Sequence, residues 1–120
     1  MRMDKLTSRL QSALADAQSL AVGRDHTQIE PVHLLLALLN QQGGSITPLL
    51  SQTGINLATL RAQLNTIFDG LARLKDSSGE VSFSQELGRI LNVADKLSQE
   101  RKDQFISSEL VLLAMAQDKG

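Results

Sequence analysis

Apolar residues along this chain recur at steps of three and four rather than two. Leu6, Leu10, Ala13, Leu14, Ala17, Leu20 and Ala21 form one such stripe, the spacing of an amphipathic helix. Thr7 is placed to cap it, because its hydroxyl can accept from an orphan backbone N–H, and Gly23 ends the stripe. A polar stretch, Arg24 to Gln28, leads to Ile29-Glu30-Pro31. Pro31 suits the first position of the next helix, where its missing N–H costs nothing. Val32 to Asn40 is apolar nearly all round, so this helix is predicted to be the buried centre. Gly43-Gly44 stops it, and Ser45 opens a short helix closed by Gly54. Asn56 is the next cap, and Leu57, Leu60, Leu64, Ile67 and Phe68 form a stripe ending at Gly70. Residues 75–81 carry turn-forming types and no stripe, which predicts a surface loop. Ser84 then caps a long helix with Leu87, Ile90, Leu91, Ala94 and Leu97 on its apolar face. A connector, Gln99 to Gln104, precedes a last helix from Ser107 through Met115. No segment alternates as a half-buried strand would, so the predicted fold class is all-α.

The chain also matches itself. Displaced by 77 residues, Thr7 falls on Ser84, Leu10, Leu14, Ala17 and Leu20 fall on Leu87, Leu91, Ala94 and Leu97, and Arg24 falls on Arg101. Ile29 falls on Ile106, Leu35-Leu36-Ala37 on Leu112-Leu113-Ala114, and Gly43 on Gly120. The non-periodic connector keeps its length in both copies, which chance aliphatic matching does not explain. Two such units are predicted to pack about a pseudo-twofold axis. Within a single domain of residues 1–120, the first repeat covers about 4–70, a loop about 71–83, and a partial second repeat about 84–120. The second copy lacks counterparts of the short helix and of the Leu57–Phe68 helix. Either it evolved without them, or the chain is a fragment of a longer protein; the fragment reading is the favoured expectation.

Where the copies differ, function is sought. Val93 aligns with Asp16, Leu110 with His33, and Phe105 with Gln28. An apolar residue facing a polar counterpart is a candidate exposed contact, so Val93, Leu97 and Leu110 are predicted to form a small apolar strip. Either that strip is open, or the loop or further helices cover it.

Composition narrows the chemistry. The 120 residues fit one domain, and 42% hydrophobic content supports a core. Absence of cysteine removes disulfides, thiol nucleophiles and thiolate metal sites. A net charge of −1 with 2% aromatic residues argues against a nucleic-acid partner. The apolar run Leu34 to Leu39 is far short of the roughly 20 residues that span a membrane. The first residues lack the apolar stretch of a signal peptide, so a cytosolic location is expected. His26 and His33 are the only histidines and, without a carboxylate cluster, make a poor metal site; they read as a polar connector residue and a first-turn residue. Glu30 and Glu109 suit the positive ends of their helices, and Asp103 reads as a surface acid of the connector. No Gly-x-Ser-x-Gly or phosphate-loop lysine pattern is present, so no catalytic residue, metal ligand or cofactor site is assigned.

The stretches Met1 to Thr7, Gln11, Ala13-Leu14 and Ala17 to Ala21, and above all Ile29-Glu30-Pro31-Val32-His33-Leu34-Leu35-Leu36-Ala37-Leu38-Leu39, resemble the N-terminal domain of the Clp/heat-shock disaggregase ATPases. Phe105-Ile106-Ser107-Ser108-Glu109-Leu110 in the second copy matches as well. The resemblance covers essentially the whole chain and implies an all-α Clp N-type double repeat, truncated here in its second copy. It implies a parent AAA+ ATPase that uses ATP and Mg and works as a cytoplasmic homohexamer with the DnaK system. In that parent this domain, not itself an enzyme, engages unfolded or aggregated polypeptides before they are threaded. The family's substrate-engaging surface positions fall on Thr7, Asp103 and Glu109, and its apolar groove on Val93, Leu97 and Leu110. The alternative is an adaptor-docking domain of a protease-associated relative, with a folded partner held through charged residues such as Asp103 and Glu109.

Overall fold

Helix starts lie where the capping residues place them. The computed structural model describes residues 3–71, 73 and 81–117. Apart from Val81, the predicted 75–81 loop lies outside the described residues, as does Gly120. Helix α1, Ser8–Gly23, begins after Thr7, whose Oγ1 accepts from the Leu10 N–H at 3.2 Å. Helix α2, Pro31–Asn40, has Pro31 at its first position. Helix α3, Ile46–Gln52, follows Ser45, and helix α4, Leu57–Asp69, follows Asn56, which accepts from the Thr59 N–H at 3.1 Å. Helix α5, Gln85–Glu100, begins after Ser84, whose Oγ accepts from Leu87 at 3.0 Å. In helix α6, Ser108–Gln117, Leu110 donates to Ser107 Oγ at 3.3 Å.

The long helices do not stop at a glycine. Gly23 lies within the last turn of α1, and Asp25 takes the left-handed conformation at φ +55°. The Asp25 N–H reaches the Val22 carbonyl at 3.1 Å and the His26 N–H reaches Ala21 at 2.9 Å, the paired bonds of a Schellman stop. Helix α5 ends the same way. Lys102 has φ +59°, and its N–H and that of Asp103 reach Gln99 and Ser98 at 3.1 and 2.9 Å. Asp25 and Lys102 are repeat counterparts, so the displacement of 77 holds in backbone geometry as well as in residue type.

Contacts between the copies are reciprocal. The Thr7 N–H donates to the Ile106 carbonyl at 3.0 Å, and the Ser84 N–H donates to the Ile29 carbonyl at 3.0 Å. Strand β1, Gln28–Ile29, pairs in parallel with β2, Ser82–Phe83, while Leu6 bridges Ile106 in the same sense. Residue for residue, each copy's connector meets the other copy's helix start, as a twofold relation requires. These strands are the one departure from an all-helical chain among the described residues. At two residues each they are too short for alternation to mark them.

Helix α1 packs on α2, α5 on α6, and α4 on α2. The shared core includes Leu10, Leu34, Leu38, Leu87, Leu91 and Val111, all essentially inaccessible. Because Ser84 is itself buried, Ser84→Ala strands the Leu87 N–H and is expected to cost about 1 kcal/mol. Thr7→Ala is expected to cost a similar amount. Urea unfolding followed by circular dichroism measures both, and a loss below the error of the method would show that the caps do not anchor the copies.

Candidate functional site

Helix starts of the two copies face each other at two junction clefts. The first, about 410 Å³, lies between the start of α1 (Thr7, Ser8, Arg9), the start of α6 (Ser107, Ser108, Glu109) and the α2–α3 turn. The second, about 500 Å³, lies between the start of α2 (Glu30, Pro31, Val32), the start of α5 (Glu86, Ile90), α4 (Leu64, Ile67, and the adjoining Leu71) and Met115. Under the repeat, Glu30, Pro31 and Val32 correspond to Ser107, Ser108 and Glu109, and Glu86 corresponds to Arg9. The first, called the polar cleft for the residue types that line it, carries both signs of charge, although the surface it opens is mostly aliphatic carbon. Its twin is apolar with two carboxylates.

Thr7 and Glu109 meet in the polar cleft, Thr7 with its hydroxyl engaged as the α1 cap and Glu109 exposed. Asp103 stands exposed in the connector and pairs with Arg101 at 3.2 Å. Val93 is half-buried and lines a shallow groove on the outer side of α5 with Gly88, Arg89, Asn92 and Lys96. Leu97 is half-buried against the core. Of the two readings of the strip, open or covered, Leu110 takes the covered one, at 5% exposed. The inference from polar counterpart to exposed position fails there because His33, the counterpart, is fully buried. A polar side chain whose hydrogen bonds are made internally is no sign of solvent. The same inference holds at Phe105, which is exposed.

The two histidines, read from sequence as connector and first-turn residues, are a buried pair. His26 Nδ1 lies 2.7 Å from His33 Nε2, and the Glu30 N–H donates to His33 Nδ1 at 2.8 Å. That backbone donor fixes His33 as the Nε2–H tautomer, which donates to His26 Nδ1 and leaves the His26 proton on Nε2. His26 Nε2 is buried without a partner among the described residues. Phe68 of α4 stands edge-on to both rings at 4.9 and 5.6 Å, and Arg24 lies over Phe68 while pairing with Asp69 at 2.7 Å. The pair thus ties the connector, the start of α2 and the end of α4 together beside the apolar cleft. Among the described residues no group of three or more side chains is arranged to hold a metal ion.

Sequence reasoning did not find the apolar cleft. Ile67 was assigned to a core stripe, yet it is 53% exposed. The available signal was that Glu86, the counterpart of Arg9, shares a helix face with Ile90.

The family model described as the Clp repeat (R) N-terminal domain matches residues 5–120. The chaperone protein ClpB of Pseudomonas putida is 60% identical over 114 residues, covering 95% of this chain and 13% of that protein. ClpB of Vibrio cholerae is 48% identical over 120 residues, covering 100% and 14%. The chain therefore spans a small part of these curated relatives. Among solved structures, the N-terminal domain of the ClpV1 ATPase from E. coli matches with TM-score 0.87 at 26% identity, over 96% of this chain and 69% of that one. The Hsp104 N-terminal domain from Candida albicans matches with TM-score 0.87 at 22% identity, over 96% and 75%, which speaks to fold alone.

Burial holds both histidines below their ordinary pKa. Arg24 and Arg73 act in the same direction on His26, against Asp25 and Asp69. His26 does so on His33, against Glu30. A further proton must take a lone pair that already accepts a hydrogen bond. The folded state therefore binds fewer protons than the unfolded one on the acid side of 6.5. Stability is expected to be full above that value and to fall below it, by up to about 1.4 kcal/mol per pH unit per histidine. His33→Leu, which copies the counterpart Leu110, should give a shallower acid-side slope. Urea unfolding at pH 8, 6 and 5 tests this, and equal slopes for both proteins would refute it.

Proposed function

Because the chain belongs to the Clp repeat N-terminal domain family, we propose that it is the substrate-recognition domain of an ATP-dependent disaggregase of the ClpB type. It binds unfolded or aggregated polypeptides weakly and delivers them to ATPase rings for threading. The supporting observation is the 60% identity to a ClpB chaperone across 95% of the chain, which favours this reading over adaptor docking. In this reading the parent is a cytoplasmic AAA+ homohexamer that uses ATP and Mg and cooperates with the DnaK system. This domain contributes no catalysis of its own. Thr7 and Glu109 in the polar cleft, Asp103 on the connector, and Val93 and Leu97 along α5 are its substrate contacts. Leu110 supports them from beneath.

Weak binding follows from the geometry. Half-buried side chains such as Val93 and Leu97 offer little apolar area, and an unfolded ligand loses chain entropy on docking. Six copies in one ring would offset that by raising the effective concentration.

Titration with a permanently unfolded casein, followed by fluorescence anisotropy, is the test. The protein is expected to bind it with low affinity, and Val93→Asp to weaken binding about threefold. Charge reversal at Asp103 should have a smaller effect. Loss of one specific, saturable complex with a folded protein on reversing Asp103, with no binding to casein, would instead establish adaptor docking.

A further inference from the structure

Strands β1 and β2 run in parallel and each leads into a helix, so α2 and α5 begin side by side. That register brings Glu30, at the start of α2, and Glu86, in the first turn of α5, to one edge of the apolar cleft. Each helix start supplies about half a positive charge, which leaves two carboxylates with a net negative field. Among the described residues no lysine or arginine lines the cleft. The twin cleft is built differently at the same positions, with Arg9 in place of Glu86 and Ser107 in place of Glu30. The acids are thus a property of this cleft and not of helix starts in general.

Below the acids the walls are apolar. Val32, Leu64 and Ile90 are buried in them, and Ile67 leaves 53% of its surface open to water. A greasy floor with an acidic edge selects for an apolar segment carrying a positive charge beside it. We propose that this cleft seats a short apolar segment of an unfolded polypeptide flanked by lysine or arginine, with Ile67 as its apolar contact and Glu30 and Glu86 as its charge filter. The proposal rests on the reading that the domain receives unfolded chains, and adds where one segment sits and what its sequence must contain.

Two fluorescein-labelled peptides with the same Leu-Val-Ile-Leu centre, one flanked by lysines and one by glutamates, are titrated with the protein. The lysine-flanked peptide is expected to bind about threefold tighter or more, and the difference is expected to collapse in 0.5 M salt. Glu86→Lys, at an exposed position, should erase or invert the preference. Ile67→Ser should weaken both peptides about threefold and leave their ratio unchanged. Circular dichroism confirms that both variants fold. Equal affinities in the wild type, or indifference to both variants, would overturn the cleft assignment, and the broader reading would survive if casein still binds. Failure to bind casein and both peptides would overturn the two together. Sedimentation that shows a dimer abolished by Ile67→Ser would make the cleft an interface between copies and refute the proposal.

Discussion

The backbone hydrogen bonds exchanged between the copies organise everything else. The Thr7 N–H reaches Ile106 and the Ser84 N–H reaches Ile29. Both donors belong to residues that cap the long helices with their own hydroxyls. One residue therefore starts a helix with its side chain and fixes the partner copy with its backbone. Buried N–H and C=O groups need partners, and here each copy's connector satisfies the other's entrance. The helix starts are drawn to the junction as a consequence, and the two clefts form there.

The histidine pair sets a second constraint on that frame. Its polarity sits at a position the second copy fills with Leu110, and it is tolerated because the Glu30 N–H, His33 and His26 hydrogen-bond in series. Phe68 and Arg24 close over the series from α4 and the connector. Two rings, rather than apolar packing alone, hold the end of α4 against the start of α2. That junction carries Leu64 and Ile67 to the rim of the apolar cleft. The local hydrogen-bond chain and the apolar cleft are in this way mechanically joined.

Helix order, caps and the repeat were legible in the sequence because each depends on local chemistry. Thr7, Asn56 and Ser84 cap as hydroxyl and amide side chains do, and Pro31 starts its helix as its fixed φ dictates. The helix stops at Asp25 and Lys102 were not legible, because the left-handed position is usually taken by glycine and nearby Gly23 offered a simpler reading. The strands were hidden by their length. The site was legible only in part. Whether Leu110 is open or covered was not legible, since burial of its counterpart His33 depends on a long-range pairing that spacing does not reveal. Ile67 was hidden as well, an apolar residue on a core stripe that packing leaves open.

The two junction clefts differ where the displacement of 77 residues pairs unlike side chains. Most core positions stay apolar in both copies, and buried His33 against Leu110 departs from this because its hydrogen bonds are made internally. Helix starts at the junction are freer, because the backbone bonds that hold them are indifferent to side chain. The changes between Glu30 and Ser107, Val32 and Glu109, and Glu86 and Arg9 all fall there. The result is one cleft that offers hydroxyls and both charges, and another that offers aliphatic wall and carboxylates.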